Sequence, residues 1–191
     1  DTEYCFSVTA AGGEGDISSS NRACVTTGSE VAPAWVSIYA IEVLGAGITV
    51  TAGYDPATVM SSYRLLRYNA GTGIWDVAAS ATGSAGSVSF DLSPADTVIP
   101  RLYRVAAVNS CSVNSVISAS ARNIVLESSF SGTLINLRWN RPVPGGSEIF
   151  SVWRDTGNGL REVASVLSDT LWSEDYTLFA PEITGGRVVY R

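Results

Sequence analysis

Apolar residues along this chain recur at every second position in short runs, as in Ile48-Thr49-Val50-Thr51 and Val88-Ser89-Phe90-Asp91-Leu92. That spacing places one set of side chains on one face of a β-strand. No segment keeps a 3.6-residue period for three turns, and Val, Ile, Thr, Ser, Tyr and Gly outweigh the helix formers. The pattern predicts an all-β fold. Between residues 35 and 121 it predicts seven strands: Trp35–Val43, Ile48–Gly53, Tyr63–Tyr68, Ile74–Ala78, Ser87–Leu92, Arg101–Val108 and Val116–Ala121. Asn69-Ala70-Gly71-Thr72-Gly73 joins the third to the fourth as a longer hairpin. Seven short strands with Gly, Pro and Asn punctuation read as a β-sandwich in preference to a barrel.

From Arg122 the same order restarts, with strands expected at Asn123–Glu127, Leu134–Trp139, Ile149–Arg154, Leu160–Val166, Leu171–Tyr176 and Arg187–Arg191. Residues 1–28 hold only two, Glu3–Ala11 and Arg22–Thr27, around a Gly- and Ser-rich loop. The strand motif Tyr4-Cys5-Phe6-Ser7-Val8-Thr9-Ala10 returns as Arg101-Leu102-Tyr103-Arg104-Val105-Ala106-Ala107 and as Val188-Val189-Tyr190-Arg191, at separations of 97 and 87 residues. An immunoglobulin-like sandwich has about 100 residues. The expected organisation is therefore a tandem array. Residues 1–28 are the last two strands of a first module, 29–34 a linker containing Pro33, 35–121 a complete module, and 122–191 the first six strands of a third. With no initiating Met and no leader pattern, the chain reads as a mature product or a segment of something longer. Missing strands are expected from the same polypeptide or, by strand donation, from a neighbouring molecule. Residues 30–121 are expected to be the one cooperative unit.

Tyr103, Trp139 and Tyr190 are assigned to the core. So is Tyr4, which alternatively opens a tyrosine corner; the middle module has Arg101 at that corner position. Aligning Ile48, Val50 and Ala52 with Ile135, Leu137 and Trp139 leaves Ala52 opposite a tryptophan. Trp35 or Tyr54 is expected to fill that volume, since a cavity of such a size costs about 3–5 kcal/mol.

The balance of 46% apolar to 16% charged residues is that of a folded chain. A net charge of −6, with twelve dispersed basic residues, all arginine, disfavours nucleic acid, which needs concentrated positive charge. No apolar run is long enough to span a bilayer, so no membrane insertion is expected of this segment. There is no histidine. Ser-His-Asp and Cys-His mechanisms are thereby absent, and Cys5, Cys24 and Cys111 form no zinc-ligand pattern. The adjacent carboxylates Glu174 and Asp175 point to opposite faces of a strand and read as solvated strand-end charges, not as a glycosidase pair. Asp16, Asp91 and Asp96 lack the spacing that calcium requires. Arg154-Asp155-Thr156 reads as turn chemistry. Trp75, Trp153 and Trp172 are candidates for stacking on sugar rings, against which core packing is the competing reading. No catalytic residue, cofactor or metal is assigned, and the chain is read as a non-enzyme.

The run Tyr4 to Ala10 with Ala23-Cys24-Val25-Thr26-Thr27, and Tyr103 to Cys111 followed by Asn114-Ser115 and Ser118, resemble fibronectin type III-like modules. The modules in question belong to large, gliding-motility-associated surface proteins of the Bacteroidota, exported by the type IX secretion system. The resemblance spans essentially the whole chain. It implies an extracellular or cell-surface location, and a Cys5–Cys24 disulfide linking strands F and G, which an oxidising compartment permits. Family sequences also carry an early cysteine in the next module; Ser128-Ser129-Phe130-Ser131-Gly132 has none, leaving Cys111 without an obvious partner. The resembled group carries O-glycans at Asp-Ser/Thr-aliphatic triplets, which here marks Thr97 and Thr170.

The function expected is that of a structural or adhesive segment of a long extracellular protein or filament. The alternative is an accessory or carbohydrate-binding array on a secreted multidomain enzyme. Expected partners are neighbouring modules or filament subunits, with surface glycans or other cell-surface proteins as further candidates. Ser120-Ala121-Arg122-Asn123-Ile124, free of Pro and Gly, is expected to hold two modules in a restricted orientation.

Overall fold

The computed structural model describes residues 2–13, 17–27, 32–44, 47–58, 60, 62–93, 97–143 and 148–191. Asp16 and Asp96, and with them the weighing of calcium there, lie outside the described residues. The N-terminal part is a two-stranded ribbon in two stretches. β1 (Thr2–Phe6) pairs with β4 (Ala23–Thr27), and β2 (Thr9–Ala11) with β3 (Ile17–Ser19). The single strand expected over Glu3–Ala11 is thus broken, and a further strand lies in the stretch read as loop. The cause is Ser20. Its hydroxyl accepts from the Val8 N–H at 2.9 Å and donates to the Asn21 carbonyl, while its own N–H donates to the Val8 carbonyl. A side chain thereby substitutes for a rung of the ladder.

The middle part is a closed sandwich of two antiparallel sheets. β5 (Val36–Leu44), β6 (Gly47–Tyr54) and β9 (Ser87–Leu92) form one, in the order β5-β6-β9. β7 (Ser62–Asn69), β8 (Ile74–Ala81), β10 (Leu102–Val108) and β11 (Asn114–Ile117) form the other, in the order β11-β10-β7-β8, with β12 (Ala121–Arg122) also on β10. In sandwich notation this is A-B-E against C′-C-F-G, a fibronectin type III-like arrangement. Inward residues of both sheets, among them Ile48, Val50, Tyr63, Leu65, Phe90, Tyr103 and Val105, make the core. Strand G was expected as one piece, Val116–Ala121. It is split because the Ser118 hydroxyl accepts from the Val105 N–H at 2.9 Å and donates to the Ala119 carbonyl, the same device as Ser20 against Val8.

The ribbon and the F–G pair of the sandwich share their register. Cys5↔Cys24, Phe6↔Ala23 and Thr9↔Ser19 correspond to Leu102↔Arg122, Tyr103↔Ala121 and Ala106↔Ile117. By this correspondence Tyr4, Phe6 and Val8 face inward. Tyr4 is nevertheless 50% exposed, and no second sheet packs on the ribbon among the described residues. The core role expected for Tyr4 is therefore corrected: it lies on an apolar face that nothing described here covers.

The C-terminal part repeats the plan. β13 (Leu126–Ser131), β14 (Leu134–Trp139) and β17 (Leu171–Asp175) form one sheet, and β15 (Ile149–Asp155), β16 (Leu160–Leu167) and β18 (Val189–Tyr190) the other, in the order β16-β15-β18. Its buried centre is small: Leu137, Trp139 and Val152, with Phe150, Trp172 and Tyr190 packed around them. Tyr190 sits opposite Arg154 as Tyr103 sits opposite Arg67. Tyr103 is fully buried, Trp139 is buried and Tyr190 half-buried.

The alignment of Ala52 with Trp139 is also corrected. Trp139 pairs with Leu126, the first residue of strand A, and Tyr54 pairs with Val36, likewise the first. Trp139 packs edge-on to Phe150, and Tyr54 stacks on Tyr63 with ring centroids 4.4 Å apart. Tyr54 thus holds the tryptophan position, two residues later in count because β5 and β6 pair over eight positions and β13 and β14 over six. Trp35, the other candidate, is 43% exposed. Gly83 makes room for Tyr54, since a Cβ there would meet the phenol ring at 2.5–2.7 Å.

Candidate functional site

Glu174 is not the solvated strand-end charge the sequence suggests. It faces inward on β17, where it accepts from Arg154 Nη1 and from the Tyr190 hydroxyl, each at 2.6 Å. The Arg154 side chain is 6% exposed and lies over the Phe179 ring at 3.8 Å. Burial and the Glu174 carboxylate hold the Tyr190 phenol well above its ordinary range. Asp175 points the other way and caps the 3₁₀ turn Tyr176–Leu178. It accepts from the Thr177 N–H and hydroxyl, bonds that hold its carboxyl below the usual carboxylate range. Each carboxylate is thus committed to a structural partner, and the two do not converge on a cleft.

The aromatic candidates for sugar stacking divide. Trp75 is half-buried, with Tyr68 at 5.3 Å and the Arg104 guanidinium 4.5 Å over its ring, so one face is already occupied. Trp172 packs edge-on to Tyr190 in the core cluster. Trp153 is 39% exposed on the outer side of β15. The turn reading of Arg154-Asp155-Thr156 is corrected for Arg154: it and Asp155 end β15, Arg154 is engaged by Glu174, and the turn follows, with Asp155 Oδ1 accepting from the Gly157 and Gly159 N–H groups. Asp91 is tied to the Thr49 hydroxyl at 2.8 Å. Cys5 and Cys24 face each other across the ribbon with their sulfurs bonded, and Cys111 is an exposed free thiol in the β10–β11 turn. Thr97 and Thr170 are both half-buried, Thr170 against the Trp139–Asn140 segment.

A further polar construction lies where the two sandwiches meet. Asn123 is fully buried. Its Oδ1 accepts from the Arg101 N–H at 2.6 Å and its Nδ2 donates to the Ile99 carbonyl at 3.2 Å, so it binds the loop entering strand F of the middle sandwich. Asn140, just past β14, accepts from the Val125 N–H at 2.8 Å and donates to the carbonyls of Asn123 and Arg141. The Arg122 N–H donates to the Pro142 carbonyl at 2.8 Å. These bonds also explain why strand A begins at Leu126 and not at Asn123: the intervening backbone groups are engaged elsewhere. The sequence pointed to a stiff linker by its lack of Gly and Pro; nothing in the linker itself disclosed Asn140, seventeen residues on.

An apolar groove opens between β13 and β15, with a volume of about 280 Å³, lined by Leu126, Trp139, Ile149, Phe150 and Val152 among others. β18 pairs with β15 only at Arg154 and Asp155, with Arg191 and Trp153 exchanging main-chain bonds beside them.

No protein-family model matches the chain, and no curated protein matches its sequence. Among solved structures it is similar to the crystal structure of chicken CNTN1 FN1–FN3 domains, at 17% identity with a TM-score of 0.32. That likeness covers 91% of this chain, which spans 65% of the CNTN1 chain. Strand order and register, not so loose a superposition, define the fold. Among the described residues no helix is long and apolar enough to cross a membrane.

Proposed function

We propose that this chain is a non-catalytic structural or adhesive segment of a long extracellular or cell-surface protein, in which sandwiches are stacked at fixed angles. The hydrogen-bonded junction around Asn123 carries this reading. A joint between independent beads needs no buried amide, whereas a spacer that transmits orientation does. Residues 1–28 act as the F–G hairpin of a first fibronectin type III-like module, 29–34 as a linker, 35–121 as a complete module and 122–191 as strands A to F of a third. The shared serine device and register of the ribbon support the first of these assignments. The partners are neighbouring modules or neighbouring subunits. Assignment to a gliding-motility-associated, type IX-exported protein of the Bacteroidota rests on the sequence motifs alone, as do O-glycans on Thr97 and Thr170.

Small-angle X-ray scattering of the chain is the test. Scattering from a single elongated particle with both sandwiches in one arrangement supports the reading, and a profile that requires many inter-sandwich angles contradicts it. The second reading, accessory or carbohydrate-binding modules of a secreted enzyme, is favoured by the exposed Trp153. Glycan-array binding that is lost in Trp153→Ala would establish it in place of the first.

A further inference from the structure

The position directly after strand B is occupied by Asn140 in the C-terminal sandwich and by Asp55 in the middle one, since each follows the aromatic that pairs with the first residue of strand A. The two side chains begin the same task. Asp55 Oδ2 accepts from the Ala34 N–H at 3.2 Å, and Asn140 Oδ1 accepts from the Val125 N–H at 2.8 Å, so each fixes the segment entering its sandwich by one backbone donor. They then part chemically. An ionised carboxylate only accepts, and the second Asp55 oxygen is used on the Ala57 N–H. An amide also donates, and Asn140 Nδ2 holds the Asn123 carbonyl at 2.9 Å. Asn123 is the residue whose side chain grips Ile99 and Arg101 of the preceding sandwich.

We infer that the residue after strand B sets the stiffness of the joint that precedes its sandwich. An asparagine there couples the incoming linker, through Asn123, to the previous module; an aspartate caps the linker and offers no donor for such a coupling. Asn140 is a positioning residue, acting on the previous module only through Asn123. This rests on the fixed-angle reading above and names the side chain that decides it. The orientation of the Asn140 amide follows from its partners, a backbone N–H on one side and two carbonyls on the other.

Asn140→Asp separates the two roles, because it retains the acceptor for Val125 and removes the donors. The full chain would carry spin labels at Ser80 and Glu162, in the middle and C-terminal sandwiches, with Cys111→Ser as background. Pulsed-dipolar distance distributions are then compared with and without Asn140→Asp. The expected result is one narrow distance in the parent and a distribution broadened at least twofold in Asn140→Asp, with the unfolding midpoint of the middle sandwich unmoved. A narrow distribution in both proteins overturns the inference and leaves the fixed-angle reading standing. A broad distribution in both overturns the two together. If Asn140→Asp unfolds the C-terminal sandwich, Asn123→Ala in the same label pair is the second variant. It breaks the coupling from the other side, and an unbroadened distance there also overturns the inference.

Discussion

The Asn140 amide donates to the Asn123 carbonyl at 2.9 Å, and through that bond a side chain of the C-terminal sandwich holds a residue whose own amide is bonded into the middle sandwich. Asn123 is fully buried and its two bonds are part-buried, so removing its amide deprives the Arg101 N–H and the Ile99 carbonyl of that partner. Asn123→Ala should cost about 1–3 kcal/mol. Urea denaturation followed by tryptophan fluorescence measures it; an unchanged midpoint would show that the junction bonds are replaceable by solvent.

The Arg154–Glu174 pair predicts an asymmetry. Both partners are largely buried, and leaving one buried charge alone costs more than removing both. Arg154→Ala should destabilise the C-terminal sandwich by about 3–5 kcal/mol, while Arg154→Met with Glu174→Leu recovers most of the loss. Equal destabilisation by the single and double variants would mean that the pair itself holds the strands together.

Much of the fold was legible in the sequence because alternation records which face of a strand is buried. The strands of both sandwiches fall within a few residues of their expected bounds for that reason. Side-chain bonds across the fold leave no such period. Ser20 and Ser118 look like ordinary strand serines until each is seen replacing a ladder bond, and Glu174 looks solvated until Arg154 is placed beside it. The Ala52–Trp139 alignment failed because β5 and β6 pair over two more rungs than β13 and β14, and a two-residue shift leaves the apolar pattern unchanged. Tyr4 has the alternation of a core strand because it faces inward in register; alternation reports which face is apolar, not what covers it.

Stability should fall at high pH. Burial raises the phenols of Tyr63 and Tyr190, with Tyr54 and Glu174 respectively adding to the effect. Their unfolded values lie near 10. Below that pH both states hold the protons and the contribution is fully present. Above it the unfolded chain releases protons that the folded one keeps, so stability declines as pH climbs toward the raised folded values. Melting temperatures that stay flat from pH 9 to 11 would contradict this, and Tyr63→Phe should lessen the slope.

The Cys5–Cys24 bond closes a loop of about 20 residues, a constraint of about 3 kcal/mol on ribbon pairing in the chain-entropy model. Reduction should abolish amide-exchange protection over 2–6 and 23–27 while leaving 36–122 unchanged. Non-reducing peptide mapping that finds both thiols free in secreted protein would remove the bond from the account.

The central claim, that the two sandwiches are locked at one angle, is tested most directly by backbone residual dipolar couplings of the full chain in a weakly aligning medium. The account predicts that couplings from 36–122 and from 126–190 fit one alignment tensor of common magnitude and orientation. Two tensors of different magnitude would contradict it and make the Asn123 junction a hinge.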